Sequence, residues 1–172
     1  PAPEFTFPGN ACEVPDIPPT PTPQPRREIK CTLITTIDEL QNYLTKIDRF
    51  LAIDTETTGL NQISDKIVGI SLAVNDIDGA YIPIRHRIKS NDLFGSDTTA
   101  PNQLTLETVY TYLWPILTNP DIIKIGHNLK YDLHIMANEG WDTTKISPID
   151  DTMLLSYILH GALHGHGLDE LA

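Results

Sequence analysis

The sequence predicts an α/β domain with a mixed sheet, three antiparallel strands plus parallel strands, flanked by helices. Three observations carry that prediction. Strand-like runs at 50–54, 67–74 and 80–84 follow one another with Gly, Asn and Asp punctuation short enough for antiparallel turns, so they pair as a meander. A fourth run, 122–125, is short and apolar, fit for a buried strand, and comes only after a helical segment. Helix-period apolar patterns alternate with these runs, giving the order βββαβα with a further helix, which is the order of a sheet covered by helices.

The first element is not globular. Nine of the 14 prolines lie in the first 25 residues, and residues 1–28 read as a Pro-rich linker favouring extended polyproline conformations, ahead of a domain at 29–172. A chain that opens on a linker without Met, and closes on the amphipathic start of a helix, reads as a piece of a longer protein. Within the domain, Thr36 and Glu39 form a capping box, and Leu40, Leu44 and Ile47 give the helix that follows one apolar face. After the meander, Leu106, Val109, Tyr110, Leu113 and Leu117 mark a longer helix that Pro120 stops. Leu129, Leu133, Met136 and Ala137 mark another. A last helix, 152–160, is expected to bury Leu154, Leu155, Ile158 and Leu159.

Composition narrows the function classes. The chain of 172 residues is 40% hydrophobic, with 23 acidic against 12 basic side chains and a net charge of -11. A domain near 150 residues buries roughly 70% of its unfolded surface, so the core holds without disulfides or a structural metal. Cys12 and Cys31 match no disulfide or metal spacing, which excludes a secreted disulfide scaffold. No run approaches the ~18 apolar residues of a membrane span, and no basic segment precedes an apolar block at the start. A cytoplasmic protein with no membrane partner is expected.

The chemistry begins at the end of the first strand, where Asp54 and Glu56 stand two residues apart. Residues i and i+2 of a strand share a face, so the two carboxylates converge. Paired carboxylates repel, and the pair either raises a pKa or recruits a divalent cation, with hard oxygen ligands suiting Mg²⁺ or Mn²⁺. The plain alternative is that both acids solvate a strand end, but the apolar approach of Phe50, Leu51, Ala52 and Ile53 aims them at an edge where bare charge is costly. The second constellation is Gly126-His-Asn-Leu-Lys-Tyr-Asp132, where a buried strand ends, Gly126 gives the backbone freedom, and a helix starts near Leu129 with Asp132 in its first turns. Ligands bind outside the C-terminal edge of such a strand. Read alone, Asn128 is equally an N-cap and Asp132 an acid matched to the helix dipole.

With these residues in view, the chain resembles the 3′ to 5′ proofreading exonuclease domain of bacterial DNA polymerase I, in the four-carboxylate exonuclease superfamily on a ribonuclease-H-like fold. The resemblance runs from Ile53 to the end, through Asp54-Thr-Glu-Thr-Thr-Gly-Leu60, Val68-Gly-Ile-Ser71, Tyr81-Ile-Pro-Ile84, Gly126-His-Asn-Leu-Lys-Tyr-Asp132, the block from Asp151 to Leu159 and that from His166 to Ala172. Six blocks in this order favour the polymerase branch over ribonuclease D or stand-alone proofreading subunits. The Pro-rich head would then tether a preceding 5′ nuclease domain, and a polymerase domain would follow.

The resemblance implies hydrolysis of the 3′-terminal phosphodiester of single-stranded DNA with two divalent cations, Mg²⁺ or else Mn²⁺ or Zn²⁺, in the bacterial nucleoid. Asp54, Glu56 and Asp132 match the catalytic, metal-holding carboxylates. Thr57 and Leu60 match positions that hold the 3′-terminal nucleotide, Leu60 as a wedge against its base, and Asn128 and Tyr131 match contacts along the strand. Lys130 is a candidate phosphate contact. The family's later Tyr-x-x-x-Asp motif does not occur after Asp151, so the fold is expected to be incomplete at its C-terminus and the chain weak or inactive on its own.

Other readings stand beside this one. The acidic balance lacks the basic footprint of most nucleic-acid binders, which metals and a neighbouring domain would offset. The run Arg85-His-Arg-Ile-Lys89 reads either as substrate-facing or as a solvated loop, and His160, His164 and His166 with Asp169 match no zinc spacing. Asp151 reads as the cap of the helix it begins. The alternatives for the domain are an inert structural module of a family-A polymerase and a ribonuclease D-like RNA exonuclease.

Overall fold

Alternation within the 50–57 segment sets the architecture. Leu51, Ile53 and Thr55 are buried while Asp54 and Glu56 are exposed, so one face of this strand is driven into the core and the other carries the acids. The computed structural model of the chain describes residues 28–89 and 96–171. The predicted linker therefore lies outside the described residues except for Glu28.

In chain order the elements are β1 (Lys30–Leu33), α1 (Ile37–Leu44), β2 (Phe50–Thr57), β3 (Ile67–Ala73), β4 (Asp78–Pro83), β5 (Arg87–Ile88), β6 (Thr98–Thr99), α2 (Leu106–Leu117), β7 (Ile123–Gly126), α3 (Leu129–Asn138), β8 (Ile149–Asp151), α4 (Thr152–His160) and α5 (Leu168–Leu171). The main sheet has the order β1-β4-β3-β2-β7-β8, and β5 and β6 pair by themselves. The expected meander is present, since β2 pairs antiparallel with β3 and β3 with β4. The parallel strands are β7 against β2, β8 against β7 and β1 against β4. Leu40 and Tyr43 of α1, Val109, Leu113 and Leu117 of α2, and Ile135 and Met136 of α3 form one core with Leu51 and Ile53. Each fully buried Leu or Ile there contributes about 2 kcal/mol.

The capping box is as read: the Thr36 side chain accepts from the Glu39 amide, and the Glu39 carboxylate accepts from the Thr36 amide. Several expectations need correction. The first strand runs three residues past Asp54, carrying both acids inside the sheet, and ends in a bulge between Glu56 and Thr57. Strands β1 and β8 were not anticipated, because four- and three-residue edge strands leave too little alternation to read. The helix α2 does stop ahead of Pro120, with its cap at Thr118, but it also runs through Pro115. On α3 the buried positions are Leu129, Asp132, Ile135 and Met136, while Ala137 is exposed. Gly126 does not use a positive φ; what it provides is room, since a Cβ there would meet Leu129 Cδ1 at 2.5 Å and the Ile53 carbonyl at 3.2 Å.

The largest departure is α4. Its bounds are those predicted, yet Leu154, Leu155, Ile158 and Leu159 are exposed and only Ser156 is buried. An apolar stripe records a face suited to burial without supplying the surface that buries it. This helix follows β8, the outermost strand of its edge.

Candidate active site

The acids occupy the centre of the sheet. Asp54 lies opposite Ser71 and Glu56 opposite Gly69, with Tyr81 beyond Ser71 in the next strand. Both carboxylates therefore project from the face that the core does not use. A cleft of about 370 Å³ on this side is lined by Asp54, Ala52, Ser71, His127, Thr152 and Leu168, among others. Although Asp54 is exposed along the strand, partial desolvation of its carboxyl in this cleft, then the charges of Asp132 and Glu56, push it up to about 6.

Asp132 reaches the same strand from the helix side. Its Oδ1 accepts from the Thr55 amide at 2.8 Å and from the Thr55 hydroxyl at 2.6 Å. Only 3% of Asp132 is exposed, and this burial raises its pKa against the lowering effect of the two Thr55 bonds. The three acids thus gather at one residue: Asp54 and Glu56 flank Thr55 in the strand, Asp132 bonds to it, and the charges of Glu56 and Asp132 both act on Asp54. Among the described residues no group of three or more His, Cys, Asp or Glu is drawn close enough to hold a metal ion. The donor set nonetheless fits a divalent cation in kind: carboxylate oxygens are the hard ligands that Mg²⁺ and Mn²⁺ take, and the mutual charge that raises Asp54 is what a cation relieves.

Of four other expected residues, two meet at this strand end. The hydroxyls of Thr57 and Tyr131 lie 2.9 Å apart, and both reach the Gly59 carbonyl, at 2.7 and 2.9 Å. This ties the turn after β2 to α3 and fixes the base of the loop that carries Leu60. Leu60 itself is 92% exposed, an apolar side chain in solvent three residues past the end of β2. Asn128 stands at the N-cap position of α3 in the left-handed region, φ 60°, and its side chain caps nothing. Capping falls instead to Asp151, whose oxygens accept from the Asn128 and Leu129 amides. Lys130 is exposed.

Sequence reasoning passed over His127, which lines the cleft with Nδ1 at 2.9 Å from the Thr152 hydroxyl and Nε2 buried without a hydrogen-bond partner among the described residues. Its signal was membership of the same block as Asn128 and Asp132. The basic run is structural at its first two positions. Arg85 makes a two-pronged ion pair with Glu139, with one prong at 3.0 Å, and donates to the Ile67 carbonyl, while His86 Nε2 lies 2.7 Å from the Tyr81 hydroxyl. The zinc alternative fails at His166, whose ring nitrogens contact Ser156 Oγ and the Gly161 carbonyl.

Residues 31–172 match the family model described as 3′-5′ exonuclease. DNA polymerase I of Rhizobium leguminosarum is 35% identical over 131 residues, 71% of this chain and 12% of that protein. DNA polymerase I of Pseudomonas aeruginosa is 34% identical over 122 residues, again 71% and 12%. The chain thus spans about an eighth of the polymerases that it matches. Among solved structures, Brucella melitensis NrnC bound to pGG superposes with a TM-score of 0.57 at 26% identity, covering 84% of this chain and 59% of that one. The same protein with bound Mg²⁺ gives 0.55 at 27%, covering 84% and 60%.

Proposed function

Because the chain belongs to the 3′-5′ exonuclease family found in DNA polymerase I, we propose that it is the proofreading domain of such a polymerase, hydrolysing the 3′-terminal phosphodiester of single-stranded DNA. The observation that carries this reading is the gathering of Asp54, Glu56 and Asp132 at Thr55, at the end of the central strand.

Asp54, Glu56 and Asp132 would hold two divalent cations, Mg²⁺ or Mn²⁺. When bound, such cations polarise a phosphoryl oxygen and lower the pKa of a coordinated water. The chain's own residues do the rest. Thr57 and Tyr131 set the floor of the loop on which Leu60 meets the terminal base. Asn128, presented by its left-handed backbone at the start of α3, contacts the strand behind it. The remaining carboxylate and tyrosine of the family pattern come, in this reading, from a later segment of the full-length polypeptide, with the polymerase domain after them and the 5′ nuclease domain ahead of the Pro-rich head.

The test compares trimming of 5′-labelled oligonucleotides ending in a 3′-deoxy or a 3′-ribo nucleotide, with Mg²⁺ and with Mn²⁺. Preference for the deoxy end supports the proofreading reading. Preference for the ribo end selects the ribonuclease D-like alternative, and no trimming by the full-length protein selects the structural module.

A further inference from the structure

We propose that Asp151 is a positioning residue for the carboxylate site, a single side chain that clasps the N-termini of α3 and α4 together and thereby sets where Asp132 and Tyr131 meet β2. The inference rests on the exonuclease reading for its functional half and on geometry alone for its structural half.

A helix N-terminus leaves its first amides without intrahelical partners, and a carboxylate accepting them is both cap and charge complement. Asp151 serves two helices at once. Its Oδ1 accepts from Met153 at 2.9 Å and Leu154 at 3.4 Å in α4, and from Asn128 at 3.0 Å. Its Oδ2 accepts from Leu129 at 2.8 Å, the first residue of α3. The next residue repeats the link: the Thr152 hydroxyl donates to the Gly126 carbonyl at 3.1 Å, so it accepts from His127, whose Nδ1 therefore carries a proton in this arrangement. The register supports the clasp from beneath, since Asp151 lies opposite Gly126 in the parallel β7–β8 pair.

The whole turn from Gly126 to Leu129 is thus held by two consecutive residues 22 to 26 positions later. Asn128 has a left-handed backbone and no cap of its own, so Asp151 supplies the side-chain bond recorded at that amide. Asp132 and Tyr131 are in the first turn of α3, and any rotation of that turn moves Asp132 off Thr55 and Tyr131 off Thr57.

Asp151→Ser separates the two roles. A serine is a good N-cap for α4 but has one short acceptor where the carboxylate has two, so it retains the α4 bonds and loses those to α3. Amide hydrogen exchange on the metal-free 172-residue chain is expected to accelerate about 10-fold or more at Asn128 and Leu129 with Met153 and Leu154 unchanged. Mn²⁺ affinity, read by the signal of free Mn²⁺ in electron paramagnetic resonance, is expected to fall about 10-fold, as when a ligand's supporting contact is lost. Unchanged exchange at Asn128 and Leu129 would overturn the clasp, and accelerated exchange with undiminished Mn²⁺ affinity would overturn its role in the site. If the 172-residue parent binds no Mn²⁺, as its missing fourth carboxylate allows, the affinity comparison moves to the full-length polypeptide with Asp54→Ala as its reference; no Asp54-dependent Mn²⁺ binding there makes the exonuclease reading fall, and the exchange comparison alone then decides the clasp.

Discussion

Asp132 accepts two hydrogen bonds at one oxygen from Thr55, 77 residues away, from its backbone amide and its hydroxyl together. A residue flanked in sequence by two acids is thereby bonded to the third. Thr55 faces the core, and its threonine identity gives Asp132 a donor in surroundings that otherwise penalise a carboxylate.

Thr55→Val keeps the shape and removes the hydroxyl. It is expected to cost about 1 kcal/mol in urea unfolding. It should also raise the Asp132 pKa further, since burial already raises it and one of the opposing bonds is lost. Carbon-detected NMR titration of the Asp132 carboxyl checks the direction.

Gly69 lies on the face that carries Asp54 and Glu56, and a Cβ there would fall 1.8 Å from the Tyr81 hydroxyl and 2.3 Å from Tyr81 Cζ. Gly69→Ala must therefore displace the ring and break its bond to His86. The expected loss is about 1–3 kcal/mol, and the Tyr81 and His86 side-chain resonances should move together. A melting temperature equal to that of the parent would contradict the packing described.

Much of this arrangement was legible from residues alone, and what was not has physical causes. Asp54 and Glu56 could be paired because a strand's period is two, whatever its partners are. The Thr36 capping box is local, and local chemistry reads directly. Asp132 could be placed near the strand end but not at Thr55, because that contact depends on how α3 seats against the sheet. The bonds from Asp151 to α3 were invisible for the same reason: a cap within its own helix is sequential, and a cap for another helix is not. The exposed stripe of α4 misled because periodicity reports what a face favours and not what lies beside it.

Lys124 is fully buried, and its ammonium donates to the carbonyls of Asn119, Ile122 and Ser147 at 2.9, 2.7 and 2.6 Å. Burial lowers its pKa. Lys124→Met fills similar space but strips three carbonyls of a donor, and about 2 kcal/mol of stability is expected to go with them. Denaturant unfolding of the pair of proteins measures it.

Glu139 gives a pH dependence. Burial works to raise its pKa, but the bonds from Arg85 and the Ile67 amide outweigh that and leave it below 4.5. A folded-state pKa below the unfolded value adds stability that is fully present above the unfolded value and is lost as pH falls through the folded one. Glu139→Gln should therefore be less stable than the parent at neutral pH, with the difference shrinking on acidification below about 4.5. Melting curves from pH 7 to pH 3 follow it, and a difference independent of pH would contradict the ion pair's part.

The central claim is that Asp54, Glu56 and Asp132 form a working 3′ exonuclease site. The most direct measurement is the length distribution of 5′-labelled single-stranded DNA incubated with Mg²⁺ and the full-length polypeptide carrying this chain, beside its Asp54→Ala variant. Stepwise shortening from the 3′ end that disappears in the variant is the predicted result. Shortening that persists unchanged in the variant, or none in the parent, would contradict it.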